Sequence, residues 1–238
     1  MGINVIKNAV QIDDTHQKRV NTSVDDNPTE VELEGVTLRY IFTRSKYNYD
    51  KGDGNPLIYA MKGLNGFNIV PVYRKKVLER CATIVGKMLI EADVIVPVPS
   101  GNGFCLEIAE IVAGVTGLPL VAPDFIRKKT FTEMYAQYGT LPSGLIPAEA
   151  AEYKSQLRLW STASGEKSVI MKMISPKIRH LLDPFTRSDV PTGLEDMRVV
   201  LVDDLLSSGS SLLGAARVST TVGASSVSGV CFMSALAN

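Results

Sequence analysis

A chain of 238 residues has room for one large domain, or a core domain with an appendage. Hydrophobic residues at 45% and charged residues at 21% allow a large core without disulfide or metal staples. Lys plus Arg and Asp plus Glu are both 25, so zero net charge removes any global pull toward nucleic acid or an anionic membrane.

Other residue counts narrow the class further. Cys81, Cys105 and Cys231 are odd in number and scattered, which argues for a reducing compartment and against a zinc site. His16 and His180 are too isolated for a His-based metal centre. The first residues lack an apolar signal core, and Ile6 stands where a myristoylation signal wants Ser or Thr. No apolar run approaches the ~20 residues of a membrane helix. A soluble cytoplasmic protein is expected.

In chain order, residues 1–35 read as an exposed or flexible leader, because 10–30 are polar and without sustained period. "VTLRYIFTR" (36–44) alternates as a strand, "YNYDKGDGN" breaks the chain, and Pro56 opens a short helix through "PLIYAMKGL". Residues 72–91 repeat apolar side chains at helical spacing, including Val77, Cys81, Ile84, Met88 and Leu89. "ADVIVPVPS" (92–100) is a continuous apolar run of the kind that forms a buried parallel strand. A helix stopped by Gly117 follows, then a short strand in "LPLVAP". Residues 125–165 are long, polar and basic in patches, and "SVIMKMI" suggests one more strand. "MRVVLVDD" is a buried strand, "GSSLLGAARVSTTVGA" its helix, and "SSVSGVCFMSAL" a final strand. This alternation predicts an α/β fold with a doubly wound, mostly parallel sheet. Ligands of such sheets sit beyond the carboxyl ends of the strands, where "PVPSGNG" and "DDLLSSGSS" fall.

The loop after the "VVLVDD" strand carries the chemistry. Ser207, Ser208, Gly209, Ser210 and Ser211 offer hydroxyls, successive backbone N–H groups and a helix N-terminus, which together suit an anion. Asp203 and Asp204 would repel that anion, so their targets are sugar hydroxyls, a magnesium ion or developing positive charge. A phosphorylated sugar lying across the loop satisfies both halves. The alternative is a small-residue loop that only caps a helix. A Walker A loop fails for want of a Lys, a nucleophile elbow fails at Leu213, and a dinucleotide fingerprint lacks its glycines.

The run from Val199 to Ser211 resembles the signature of type I phosphoribosyltransferases: four apolar residues, two acids, two apolar residues and a Ser-Ser-Gly-Ser-Ser loop. "PLIYAMKG" (56–63) followed by a helix and "DVIVPVPS" is similar to the competence-protein-F branch of that family. The resemblance implies a single phosphoribosyltransferase-like domain over 36–238, with a small variable hood from about 36–60 and parts of 125–185. It implies 5-phosphoribosyl 1-pyrophosphate with Mg2+ as ligand, and transfer of the phosphoribosyl group to a base or other nitrogenous acceptor with release of pyrophosphate.

Residue by residue, it places the 5-phosphate on Ser207–Ser211 and the ribose hydroxyls, directly or through Mg2+, on Asp203 and Asp204. The pyrophosphate falls on Pro99, Ser100, Gly101 and Asn102. Relatives often carry a cation in that loop. Here it must come from elsewhere, with Arg127, Lys128, Lys129 and Lys62 as candidates. Two further readings stand beside the enzyme: a regulatory module that binds the sugar without turnover, and a nucleic-acid-associated accessory protein. A small-molecule substrate is the expected partner, neither membrane nor nucleic acid is, and there is room for a homodimer.

Overall fold

The structure is a computed structural model that describes residues 1–45, 54–162, 167–170, 173–190 and 193–235. Packing divides the chain into two compact units, Met1–Pro123 with Thr192–Asn238, and Asp124–Pro191. The single domain expected over 36–238 thus contributes to both units, and the expected hood segment 125–185 lies wholly in the second.

The first 35 residues are not a leader. They form β1 (Gly2–Ile6), β2 (Ala9–Asp13), β3 (Val20–Asn21) and β4 (Thr29–Leu33), with Ile3, Val10, Val20 and Thr22 buried. β1 and β2 are an antiparallel hairpin in full register from Gly2↔Asp13 to Ile6↔Ala9. Polar residues are common here because strands such as β2 and β4 bury one face only. Val10 and Ile12 point in and Gln11 does not, which is the period of a half-buried strand. Arg80, itself buried, fixes the segment by donating to Thr22 Oγ1 (2.8 Å) and Asp14 Oδ1 (2.6 Å).

β5 (Val36–Arg44) matches the expected strand. The turn-rich break that follows lies, except for Gly54 and Asn55, outside the described residues. α1 (Asn55–Lys62) carries Pro56 in its first turn as expected and ends in a Schellman closure at Gly63, with Gly63 N donating to Ala60 O and Leu64 N to Tyr59 O. β6 (Asn68–Ile69) pairs with β2, and α2 (Pro71–Val85) follows. α2 stops six residues short of the periodic stretch. Gly86 closes it, and Leu89, expected on its buried face, is 72% exposed.

β7 (Val94–Pro97), α3 (Phe104–Thr116), β10 (Arg198–Leu206), α6 (Ser210–Thr221) and β11 (Ser226–Ser234) complete the first unit. The parallel order is β5-β11-β10-β7, and Leu120 of the expected "LPLVAP" strand adds a single parallel bridge to Ile95. α3 packs on β7 and β10, and with α1 and α2 covers one face around Val200, Val202, Val230 and Phe232. α6 packs on β10 and β11 so closely that a Cβ on Gly229 would press on Leu212 and Leu38. The α/β class and the doubly wound, mostly parallel sheet are as expected.

In the second unit β8 (Ile126–Lys128) pairs antiparallel with β9 (Phe185–Arg187), and α4 (Phe131–Tyr138) and α5 (Pro147–Thr162) pack together. Their core gathers Phe131, Met134, Tyr153, Trp160, Ile174 and Ile178. The described part of "SVIMKMI" forms no strand beyond one bridge, Thr130↔Ser168.

Candidate functional site

The winding reverses between β7 and β10. The chain leaves β7 toward Leu120 on one side of the sheet, and leaves β10 toward β11 on the other. Loops at such a reversal diverge and open a crevice at the strand ends. Both expected loops are there. Val202 pairs with Pro97, and Val98 N continues the pairing by donating to Val202 O at 2.8 Å.

The structure extends β10 through both acids to Leu206. Asp203 and Asp204 are 8% and 6% exposed. Asp203 Oδ1 accepts from the Asp204 backbone N at 2.8 Å. Asp204 Oδ2 accepts from Ser100 Oγ at 3.0 Å, and the same oxygen is ion-paired with Lys62 Nζ at the end of α1. Lys62, Ser100 and Asp204 come from three distant segments that the sequence singled out separately, and here they meet.

The serine loop is sharply turned. Gly209 has φ 77, the left-handed region, and a Cβ there would overlap Leu33 Cδ2 at the end of β4. Ser208 Oγ and Ser210 Oγ are 2.9 Å apart. No side chain caps α6, so the N–H groups of its first turn face outward from a helix whose dipole favours an anion. After β7, Asn102 Oδ1 accepts from Phe104 N at 3.2 Å, while Cβ positions on Gly101 and Gly103 would meet open space.

Cys105 was not expected to have a role. Its sulfur lies 3.2 Å from Val98 O and 3.1 Å from Val202 O, so its single S–H is shared between the two strand ends beneath the acids. Burial first, then the charges of Asp203 and Asp204, push this thiol well above the usual range, so it is a weak donor and not a nucleophile. Burial and then Asp203 act in the same direction on Cys231. Leu33 is the other residue sequence reasoning missed. Neither carries a local pattern that points to the site.

The basic cluster lies in the second unit. Arg127 makes a bidentate pair with Glu133 (2.8 and 2.6 Å), and Lys129 Nζ donates to Asp183 O at 2.7 Å. Lys128 is in β8. Tyr138 accepts from Asp183 N through its hydroxyl, and Trp160 is core.

Among the described residues no group of three or more His, Cys, Asp or Glu side chains could hold a metal ion. Asp203 and Asp204 are the only acids the sequence offered for Mg2+, and Lys62 already neutralises one of them. Two acids, one of them ion-paired, would leave most of an octahedral Mg2+ shell to ligand oxygens and water. Among the described residues no helix is long and apolar enough to cross a membrane.

No protein-family model matches the chain, and no curated protein matches it. Among solved structures the chain is similar to the crystal structure of a purine phosphoribosyltransferase from Pyrococcus horikoshii. The identity is 21% and the TM-score 0.37, over 66% of this chain and 73% of that chain.

Proposed function

We propose that this protein binds a ribose 5-phosphate moiety at the β7–β10 crevice and transfers it from 5-phosphoribosyl 1-pyrophosphate to a nitrogenous acceptor. The observation that carries the reading is the meeting, at one winding reversal, of a buried acid pair and an uncapped helix N-terminus entered through a left-handed glycine. The 5-phosphate would take the N–H groups and hydroxyls of Ser207–Ser211. Asp203 and Asp204 would accept from the ribose hydroxyls and stabilise positive charge at C1 as the C1–oxygen bond to pyrophosphate breaks. The acceptor nitrogen forms the new bond to C1 and gives up its proton, and pyrophosphate leaves past Pro99–Asn102. The chain positions and screens charge and needs no nucleophile of its own. Magnesium would arrive with the diphosphate oxygens, and no step is assigned to it.

One observation favours a second reading, binding without turnover: the loop Pro99–Gly103 has no cation of its own. Incubation with 5-phosphoribosyl 1-pyrophosphate, magnesium and a panel of bases, read as pyrophosphate release, separates the two. Release with one base supports transfer. Saturable binding with no release for any base supports the sensor. Absence of binding overturns both.

A further inference from the structure

The Lys62–Asp204 pair is more than a surface contact. The two side chains are only 13% and 9% exposed, where the attraction between opposite charges is far stronger than in water. The ammonium sits in the last turn of α1, where the helix carbonyls favour a cation, and the Schellman closure at Gly63 fixes the chain that delivers it. The carboxylate oxygen it touches is also held by Ser100 Oγ. A divalent ion taking that oxygen would displace both donors and leave a largely desolvated ammonium without its partner, which is strongly unfavourable. Magnesium also gives up its water reluctantly and is usually held by one or two carboxylates together with substrate phosphate oxygens, which a ligand without the diphosphate does not bring to C1.

We infer that Lys62 is the resident counter-cation of Asp204, occupying the place expected of a divalent metal, so that the ribose phosphate half of the ligand binds here without metal. The inference rests on the sugar-phosphate reading of the site. It makes Lys62 a positioning residue that cancels one of two adjacent acid charges and keeps Asp204 aimed at the crevice. Any metal dependence then belongs to the diphosphate half of the ligand alone.

Two measurements test it. In calorimetry with ribose 5-phosphate, which lacks the diphosphate, the wild type should bind equally well in EDTA and in millimolar Mg2+. Lys62→Met should lose about tenfold or more in EDTA and recover in Mg2+, while Lys62→Arg stays metal-independent. Wild-type binding that tightens about tenfold with Mg2+ overturns the inference, as does a Lys62→Met protein, folded by circular dichroism, with no new metal dependence. The second measurement needs no sugar. Mn2+ titrated into the free protein and followed by electron paramagnetic resonance should show no bound ion at the wild-type acid pair, and one bound ion in Lys62→Met that Asp204→Asn removes. Bound Mn2+ in the wild type, lost on Asp204→Asn, is the opposing result. If ribose 5-phosphate binds nowhere, the sugar reading falls, and the Mn2+ result still decides the role of Lys62.

Discussion

Two loops leave neighbouring parallel strands at this crevice, and they are built on different terms. The serine loop after β10 is braced from outside: Leu33 of the β4–β5 hairpin presses on Gly209, and Glu34 at its turn pairs with Arg217 of α6 at 3.3 Å. Its glycine is dictated by a left-handed backbone with no space for a side chain. The loop after β7 has two glycines whose Cβ positions open onto empty space, and it is held by Ser100 on Asp204 and Asn102 on its own backbone. Glycine-rich loops of similar appearance therefore carry different constraints. The serine loop is preorganised by the fold, whereas the loop after β7 keeps room that the fold does not need.

The largest effect tests whether the acids serve the sugar and the serine loop serves the phosphate. Asp203→Asn with Asp204→Asn should lower affinity for ribose 5-phosphate by about a hundredfold, since hydrogen bonds to charged groups contribute about 1.5–3 kcal/mol each. Affinity for inorganic phosphate should change far less. Calorimetry on both ligands checks it, and equal losses on the two would erase the division of labour between acids and loop.

Gly209→Ala comes next. The left-handed backbone costs an alanine about 1–2 kcal/mol, and Leu33 must also move. The melting temperature should fall by several degrees, with weakened phosphate binding. Leu33→Ala in the same chain should return part of the loss, and strict additivity of the two substitutions would show that β4 does not brace the loop.

How much of this was legible varies with the range of the interaction. The β10 run and its acid-serine loop were readable because buried parallel strands are continuous in sequence and the turn chemistry is local. The α4 start is written locally too, in Thr130 and Glu133, which form a reciprocal capping box, but reading 125–165 as one long polar stretch passes over it. β1–β4 were not readable, because they are at most five residues long and β2 and β4 mix polar with apolar positions. What fixes them is Arg80, 66 residues beyond Asp14. The end of α2 was overrun because Met88 and Leu89 continue the helical spacing after Gly86 has closed the helix. The Lys62–Asp204 pair spans most of the chain. Composition could nominate Lys62 as a cation near a ligand, but only the fold shows which carboxylate it meets.

A smaller effect concerns the N-terminal strands, which Asp14 ties to α2. Lys76 and then Arg80 hold the Asp14 carboxyl at about 2, well below its usual range near 3.9. A depressed carboxylate stabilises the fold above its unfolded value and loses that contribution as pH falls through the folded one. The Asp14 contribution should therefore be full above pH ~4 and vanish between ~4 and ~2. Asp14 is 44% exposed, so screening keeps it below about 1 kcal/mol. Urea unfolding of wild type and Asp14→Asn should differ at pH 6 and converge near pH 2. A constant difference across that range would assign the effect of the substitution to something other than these ion pairs.

The smallest expected effect is the sharpest on the loop after β7. Gly101→Ala places a methyl group where nothing lies within 4 Å, at a backbone angle any residue can adopt. Stability should stay within about 0.5 kcal/mol of wild type, as for surface substitutions without a structural role. If the space is kept for a ligand, the same methyl group should weaken pyrophosphate binding and leave ribose 5-phosphate affinity untouched. Unchanged binding of both ligands would mean that the open space beside Gly101 is not where the diphosphate lies. A loss for ribose 5-phosphate alone would move the sugar phosphate from the serine loop to this one, reversing the assignment of the two loops.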